Sequence, residues 1–361
     1  IQEGSPMADN TASSLVVASA VVPVPPPRHG RSQLYLGLNA LQLVQMLGLL
    51  PLVGWAVTTG ALSRPRLCAR ATRPGRPLTY ADASLLLALL ARIWHLSYPD
   101  VCLWLKQWPA LAWACGLPQG QVIHPAHLSR RVRSLGPYPL WRLYLALVSR
   151  AIRLGLVRGR DLIIDSTLLL AWGRLDLDAA WSFPSGKGRV FGYKVHTVID
   201  RASRLPLFFL LSSANRNDLP FAYPLLWACR FLWRLPVRVV RADGAYWGFH
   251  LLHFIVTVIG AHPIIPMNPK RRTANLRRCL ACFPLNYSIR ALIERFFACA
   301  KRYFHLDTSY ARGYEAVLIR TCLSFCAILV VALAAEQAGA PELRLSPTRV
   351  LAHLLPVQEA A

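Results

Sequence analysis

Acidic side chains are scarce: 17 Asp and Glu stand against 41 Lys and Arg in 361 residues, a formal charge of +24. That imbalance points to a polyanionic partner, nucleic acid first and an anionic membrane surface second. Lysine is sparse beside arginine, which suits bidentate phosphate contact or reflects a GC-rich genome. Nine cysteines, odd in number and irregularly spaced, argue against a disulfide framework and for reduced thiols in a reducing cytosol. Cys279 and Cys282 form one CxxC, but no spacing supplies the four ligands of a structural zinc site. No basic region followed by an apolar run opens the chain, so no signal peptide is expected.

Long unbroken apolar runs are also missing, although 54% of residues are hydrophobic. The stretch 33–63 is uncharged but interrupted by Asn39, Gln42, Gln45 and Pro51. The stretch 321–335 is apolar over about 15 residues, short of the roughly 20 a spanning helix needs. Both read as buried helices.

Along the chain, residues 1–33 are rich in Ala, Ser, Val and Pro and read as a disordered lead-in. Residues 34–150 read as helical. Tyr80 to Trp94 forms one expected helix, Ser97 caps a second through Lys106, and His124 to Leu135 makes a third bearing Arg130, Arg131 and Arg133. A short helix, a turn and an arginine-bearing helix suit a helix-turn-helix-like DNA-binding element; a helical bundle with a basic surface is the other reading. Residues 151–310 switch to strands and helices, and 311–361 read as a C-terminal helix and tail.

In that third region Leu162 to Ile164 is an apolar run ending in Asp165. Phe191 to Asp200 alternates, with Tyr193, Val195 and Thr197 on one side and Lys194 and His196 on the other. Leu205 to Leu211 is a further strand, and Asp218 caps a helix to about Trp233. Val237 to Val240 ends at Arg241-Ala242-Asp243-Gly244, followed by a helix over 246–259 and a strand over 262–266. The order is that of an RNase H-like α/β domain, a mixed sheet flanked by helices.

The stretch Tyr287 to Lys301 sorts at about 100° per residue into two stripes. Tyr287, Arg290, Glu294 and Lys301 fall on one polar face; Ile289, Ile293, Phe296 and Ala300 fall on an apolar one. Arg290 and Glu294 also have the spacing of a plain surface ion pair. The pattern Tyr-x2-Arg-x3-Glu-x6-Lys resembles the signature around the third carboxylate of a large group of bacterial insertion-sequence transposases, whose catalytic Asp, Asp and Glu sit on an RNase H-like fold. The resemblance covers roughly residues 160–305, with FGYKVHTVID at 191–200 and ADGAY at 242–246 similar to further motifs of that group. About 50 residues separate Asp243 from Glu294, too few for the large insertion some relatives carry.

The resemblance implies Asp165, Asp243 and Glu294 as catalytic and metal-binding residues, with Asp165 bridging. In-line phosphodiester cleavage needs an activated nucleophile and a neutralised leaving oxygen, which two Mg2+ ions about 3.5–4 Å apart supply; Mn2+ would substitute. It also implies that Tyr287, Arg290 and Lys301 hold DNA phosphates. Lys194 and His196 either do likewise or lie on a solvated strand face. Lys270, Arg271, Arg272, Arg277 and Arg278 form a DNA-gripping or merely solvated loop, and Arg130 and Arg131 belong to the expected recognition helix. Trp172 and Trp247 are core residues or stacking platforms for an unpaired base.

The expected function is that of a transposase binding terminal inverted repeats and catalysing metal-dependent strand cleavage and transfer. It would act as a homodimer on double-stranded DNA, with no membrane and no small-molecule substrate, in the nucleoid-associated cytoplasm. A catalytically silent DNA-binding derivative and a basic membrane protein are the alternatives.

Overall fold

A computed structural model describes residues 40–62, 81–118, 121–183, 188–267, 290–307 and 311–354. The N-terminal part is helical: α1 (Ala40–Leu47), α2 (Leu49–Leu62), α3 (Ala81–Ile93), α4 (Tyr98–Gln107), α5 (Pro109–Ala114), α6 (Pro125–Leu135) and α7 (Pro137–Arg153). Local chemistry sets several of these ends. Ser97 caps α4 in a reciprocal capping box with Asp100, satisfying two otherwise orphaned backbone donors. His124 caps α6 by accepting from Ala126 N through its imidazole. The helices α4 and α6 touch, yet α5 stands between them in the chain, where a compact helix-turn-helix has a tight turn.

The sheet contains β1 (Asp161–Leu170), β2 (Ala180–Ser182), β3 (Val190–Asp200), β4 (Pro206–Ser213), β5 (Val239–Arg241) and β6 (His262–Ile264). Its order is β2-β3-β1-β5-β6, with β4 also on β3. The β1–β3 and β3–β4 pairs are antiparallel, and β1–β5 and β5–β6 are parallel. This is the RNase H-like mixed sheet, with helices flanking it. Gly192 lies where β3 crosses β1: a β-carbon there would collide with the Leu169 carbonyl, so only glycine permits the close approach.

Between strands run α8 (Leu219–Trp227, extended by a wider turn to Leu232) and α9 (Phe249–Phe254, extended likewise to Ile259). After β6 come α10 (Arg290–Phe304), α11 (Tyr314–Gln337) and α12 (Pro347–Leu354). Aromatic contacts mark one face of the sheet: Phe209 of β4 meets Tyr144 of α7 and Phe325 of α11, and Phe296 of α10 meets Phe325. The other face lies under α8, whose Phe221 stacks on His196 of β3 at 3.9 Å.

The run at 321–335 is part of a longer helix than its composition suggests. α11 has 24 residues, long and apolar enough to cross a membrane, and two bent helix pairs, within α1–α2 and α3–α4, also have that character. In α11, 83% of the apolar window is buried within the protein. A helix apolar on all sides is accounted for by burial in a core as well as by lipid, and α11 packs on α3, α7, α10 and β4.

Gly192→Ala is expected to destabilise the domain by about 1–3 kcal/mol through overpacking. A lowered urea midpoint would show it; an unchanged midpoint would mean that the strands do not approach there as described.

Candidate active site

The site is built from the register between two parallel strands. Asp161 pairs with Val239, Leu162 with Val240 and Ile163 with Arg241. Asp165 and Asp243 each lie two residues beyond the last pair of this ladder, Ile163 with Arg241. A forked ion pair fixes this register. Arg241 Nε and Nη2 donate to the Asp161 carboxylate at 2.9–3.1 Å, and Arg201 adds a contact at 3.2 Å. Asp243 leaves its strand as the cap of a short turn, accepting from Ala245 N at 2.9 Å. Asp165 accepts from Ser166 N at 2.8 Å.

By strand alternation Asp165 shares its face with Thr197, its partner on β3, and with Phe209 opposite Thr197 on β4. That is the face on which α10 and α11 pack. In α10 the side chains of Ile293, Phe296, Ala300 and Phe304 are buried, while Glu294 is exposed. Lys301, two turns after Glu294 on the same stripe, donates from Nζ to the Leu168 carbonyl at 2.9 Å. The lysine thus ties the helix to β1, three residues beyond Asp165. Arg290 opens α10. Tyr287, Lys270, Arg271, Arg272, Arg277, Arg278 and the CxxC cysteines lie outside the described residues.

The donor chemistry fits a hard cation. Asp165, Asp243 and Glu294 offer carboxylate oxygen alone, and the buried Thr197 hydroxyl beside Asp165 has no hydrogen-bond partner among the described residues. No three His, Cys, Asp or Glu side chains converge into a metal-ligating group among the described residues. Asp165 and Asp243 follow the paired segments of β1 and β5, and Glu294 stands on α10, which packs against β1.

Behind Asp165, on the opposite face, lies a polar cluster that sequence reading missed. By sequence Asp218 reads only as a helix cap, but its side chain makes no cap bond. Instead it pairs with Lys194 Nζ at 3.1 Å and with His196 Nδ1 at 3.3 Å. His196 Nε2 lies 2.9 Å from Ser212 Oγ, and Lys194 also donates to the Arg216 carbonyl. The expectation that Lys194 and His196 face DNA or solvent is therefore corrected for His196, which is wholly buried under α8. Lys194 retains 12% side-chain exposure and is held by Asp218. The signal available in sequence was the alternation that put both residues on one face; what covers that face is a tertiary matter.

Electrostatics tie this cluster to the aspartates. Burial pushes the Asp218 carboxyl up, but bonds from His196, Ser166 and Lys194 and the lysine charge together hold it below its ordinary value. Burial holds His196 down, with Asp218 only partly offsetting it. The buried Tyr246 phenol is pushed well up, by burial first and then by Asp218, Asp165 and Asp243. Those three carboxylates thus all act on one buried phenol, in the short turn after β5. In the helical region, Arg130 is exposed and Arg131 half-buried on α6. Trp172 is exposed and Trp247 half-buried.

The fold is a mixed α/β arrangement, an RNase H-like sheet flanked by helices. Residues 158–330 match the family described as Transposase DDE domain, a span that takes in Asp165, Asp243 and Glu294. This match supports a transposase. No curated protein matches the chain. Among solved structures, it is similar to a piggyBac transposase synaptic complex with hairpin DNA, determined by cryo-EM. The identity is 11%, the match covers 90% of this chain and 81% of that one, and the TM-score is 0.43.

Asp218→Ala would leave Lys194 and His196 without their partner and should cost about 3–5 kcal/mol, the usual penalty for breaking a buried pair. The fold as a whole should weaken in acid. His196, Asp218 and His305, the last held at about 4, each bind protons less readily folded than unfolded. Stability should therefore fall as pH drops below about 6.5 towards 4 as the histidines are forced to charge, and further as Asp218 protonates. Urea midpoints measured from neutral pH to about pH 4 test this; a flat profile would contradict it.

Proposed function

We propose that this chain is a transposase of an insertion sequence, binding the element's terminal inverted repeats and catalysing DNA strand cleavage and strand transfer. The observation that supports the reading most is the match of residues 158–330 to Transposase DDE domain, a span in which Asp165 and Asp243 each stand two residues past the last β1–β5 pair and Glu294 stands on α10. Asp165 and Asp243 would hold the divalent ions, Mg2+ or Mn2+, with Glu294 completing the set. Bound divalent ions supply an activated water or 3′-hydroxyl and neutralise the leaving oxygen.

The chain's own residues do the rest. The Asp161–Arg241 ion pair would hold β1 and β5 in register just before the two aspartates. Lys301 fixes the height of α10 against β1. The +24 charge draws DNA in, with Arg130 and Arg131 of α6, and Tyr287, Arg290 and the basic residues Lys270, Arg271 and Arg272, as the proposed phosphate contacts. Two element ends must be held together, so a homodimer on DNA in the nucleoid-associated cytoplasm is the working unit.

The test is strand nicking of DNA containing the element ends, with Mg2+, Mn2+ or EDTA. Wild type should nick at the ends only with metal, and Asp165→Asn and Glu294→Ala should fall to background while retaining DNA affinity. Undiminished nicking by Glu294→Ala would sink the site assignment. Tight DNA binding with no nicking by wild type would instead favour a catalytically silent DNA-binding protein.

A further inference from the structure

A cavity of about 950 Å³ lies between the N-terminal helices and α11. Its wall includes Arg92 of α3, Arg133 of α6, Arg312 before α11, Arg320 of α11, and His95 and His305 from the turns after α3 and α10. None of its described lining residues is acidic. The cations come from separate elements of the fold, so their convergence is a tertiary product and not a basic run of sequence.

Holding these groups together is unfavourable in the unliganded protein. Burial and then the Arg320 charge bring the Arg92 guanidinium down to about 10. Burial, then His95, Arg92 and Arg320, bring His305 down to about 4. The backbone is strained at the same place. His95 and His305 adopt φ of 57° and 51°, a left-handed conformation that non-glycine residues rarely take. Their rings meet with centroids 4.1 Å apart, and Arg92 Nη1 donates to the His305 carbonyl at 3.1 Å. Strain and like charge gathered at one cavity are features of a ligand site.

We propose that this cavity binds phosphate, and that its occupant is a phosphodiester of the DNA backbone running along α6. Guanidinium forks match two phosphate oxygens at once and keep their charge at any working pH. The volume lies in the range of small-molecule sites, ample for one nucleotide unit. Arg130 and Arg133 stand three apart on one face of α6, and both are exposed. They continue the line of charge from the cavity to the outer surface, a track that a polymer uses and a free anion does not. The DNA source of the phosphate rests on the function proposed above; the phosphate chemistry rests on the cavity alone.

The test is fluorescence anisotropy of the full chain with labelled duplex DNA in EDTA, titrated with salt, so that cleavage plays no part. Arg312→Gln and Arg320→Gln are compared with wild type and with Arg158→Gln, an exposed arginine outside the cavity lining. Thermal melting checks that each variant folds, since Arg312, though exposed, also donates to the Leu175 carbonyl at 2.6 Å. Each cavity variant should weaken binding several-fold and reduce the slope of log K against log salt by about 0.9, one phosphate's share, beyond the effect of Arg158→Gln. If the cavity variants match Arg158→Gln in affinity and slope, the cavity inference fails while the DNA reading stands. If wild type does not bind DNA at all, the proposed function fails and takes the DNA source with it. Inorganic phosphate is the separating arm: protection of wild type against melting, lost in Arg312→Gln while DNA affinity is unaltered, would mark a free-anion site and overturn the DNA assignment.

Discussion

The parallel pairing of β1 with β5, clamped by Asp161 and Arg241, is the constraint on which the rest depends. A parallel pair is set by register, and a slip of one residue would turn Asp165 and Asp243 to opposite faces. Two opposed charges with a forked contact near the start of the pair forbid that slip. The same β1 strand serves every neighbouring element. Asp161 holds β5, Asp165 faces the proposed chemistry, Ser166 supports Asp218 behind it, and the Leu168 carbonyl receives Lys301 from α10.

Scarcity of acid makes each carboxylate informative. Asp200 is buried at the end of β3, accepting from Gly159 N and from both Ser203 N and Oγ, which fixes the turn into β4. Asp176 accepts from Tyr193 Oη and Gly313 N, joining β3 to the start of α11. With 17 acids against 41 strong bases, a carboxylate used inside the protein is one fewer to offset the basic surface. The result is a molecule whose interior is stitched by rare aspartates and whose exterior and central cavity are left cationic.

Much of the α/β region was legible from sequence. Alternation located β3 and placed Lys194 and His196 together, and the stripe over 287–301 anticipated a helix with Ile293, Phe296 and Ala300 inward. Two features were not legible, for physical reasons. Composition marked only 15 apolar residues in the last long helix, because Tyr314 to Arg320 mixes charge with Val317 and Ile319, which only packing reveals as buried. The partnership of Asp218 with His196 joins residues 22 apart in the chain across a strand, a turn and a helix start, and no local pattern encodes it.

The amino-acid sequence by itself determined the charge, the order of strands and helices, and the positions of Asp165, Asp243 and Glu294, since periodicity and spacing are local properties of the chain. Tertiary structure alone decided that β1 pairs with β5 in parallel, that the Lys194–His196 face is covered rather than solvated, and that four arginines meet in one cavity. Those outcomes depend on which surfaces exclude water from one another, and only the assembled fold sets that.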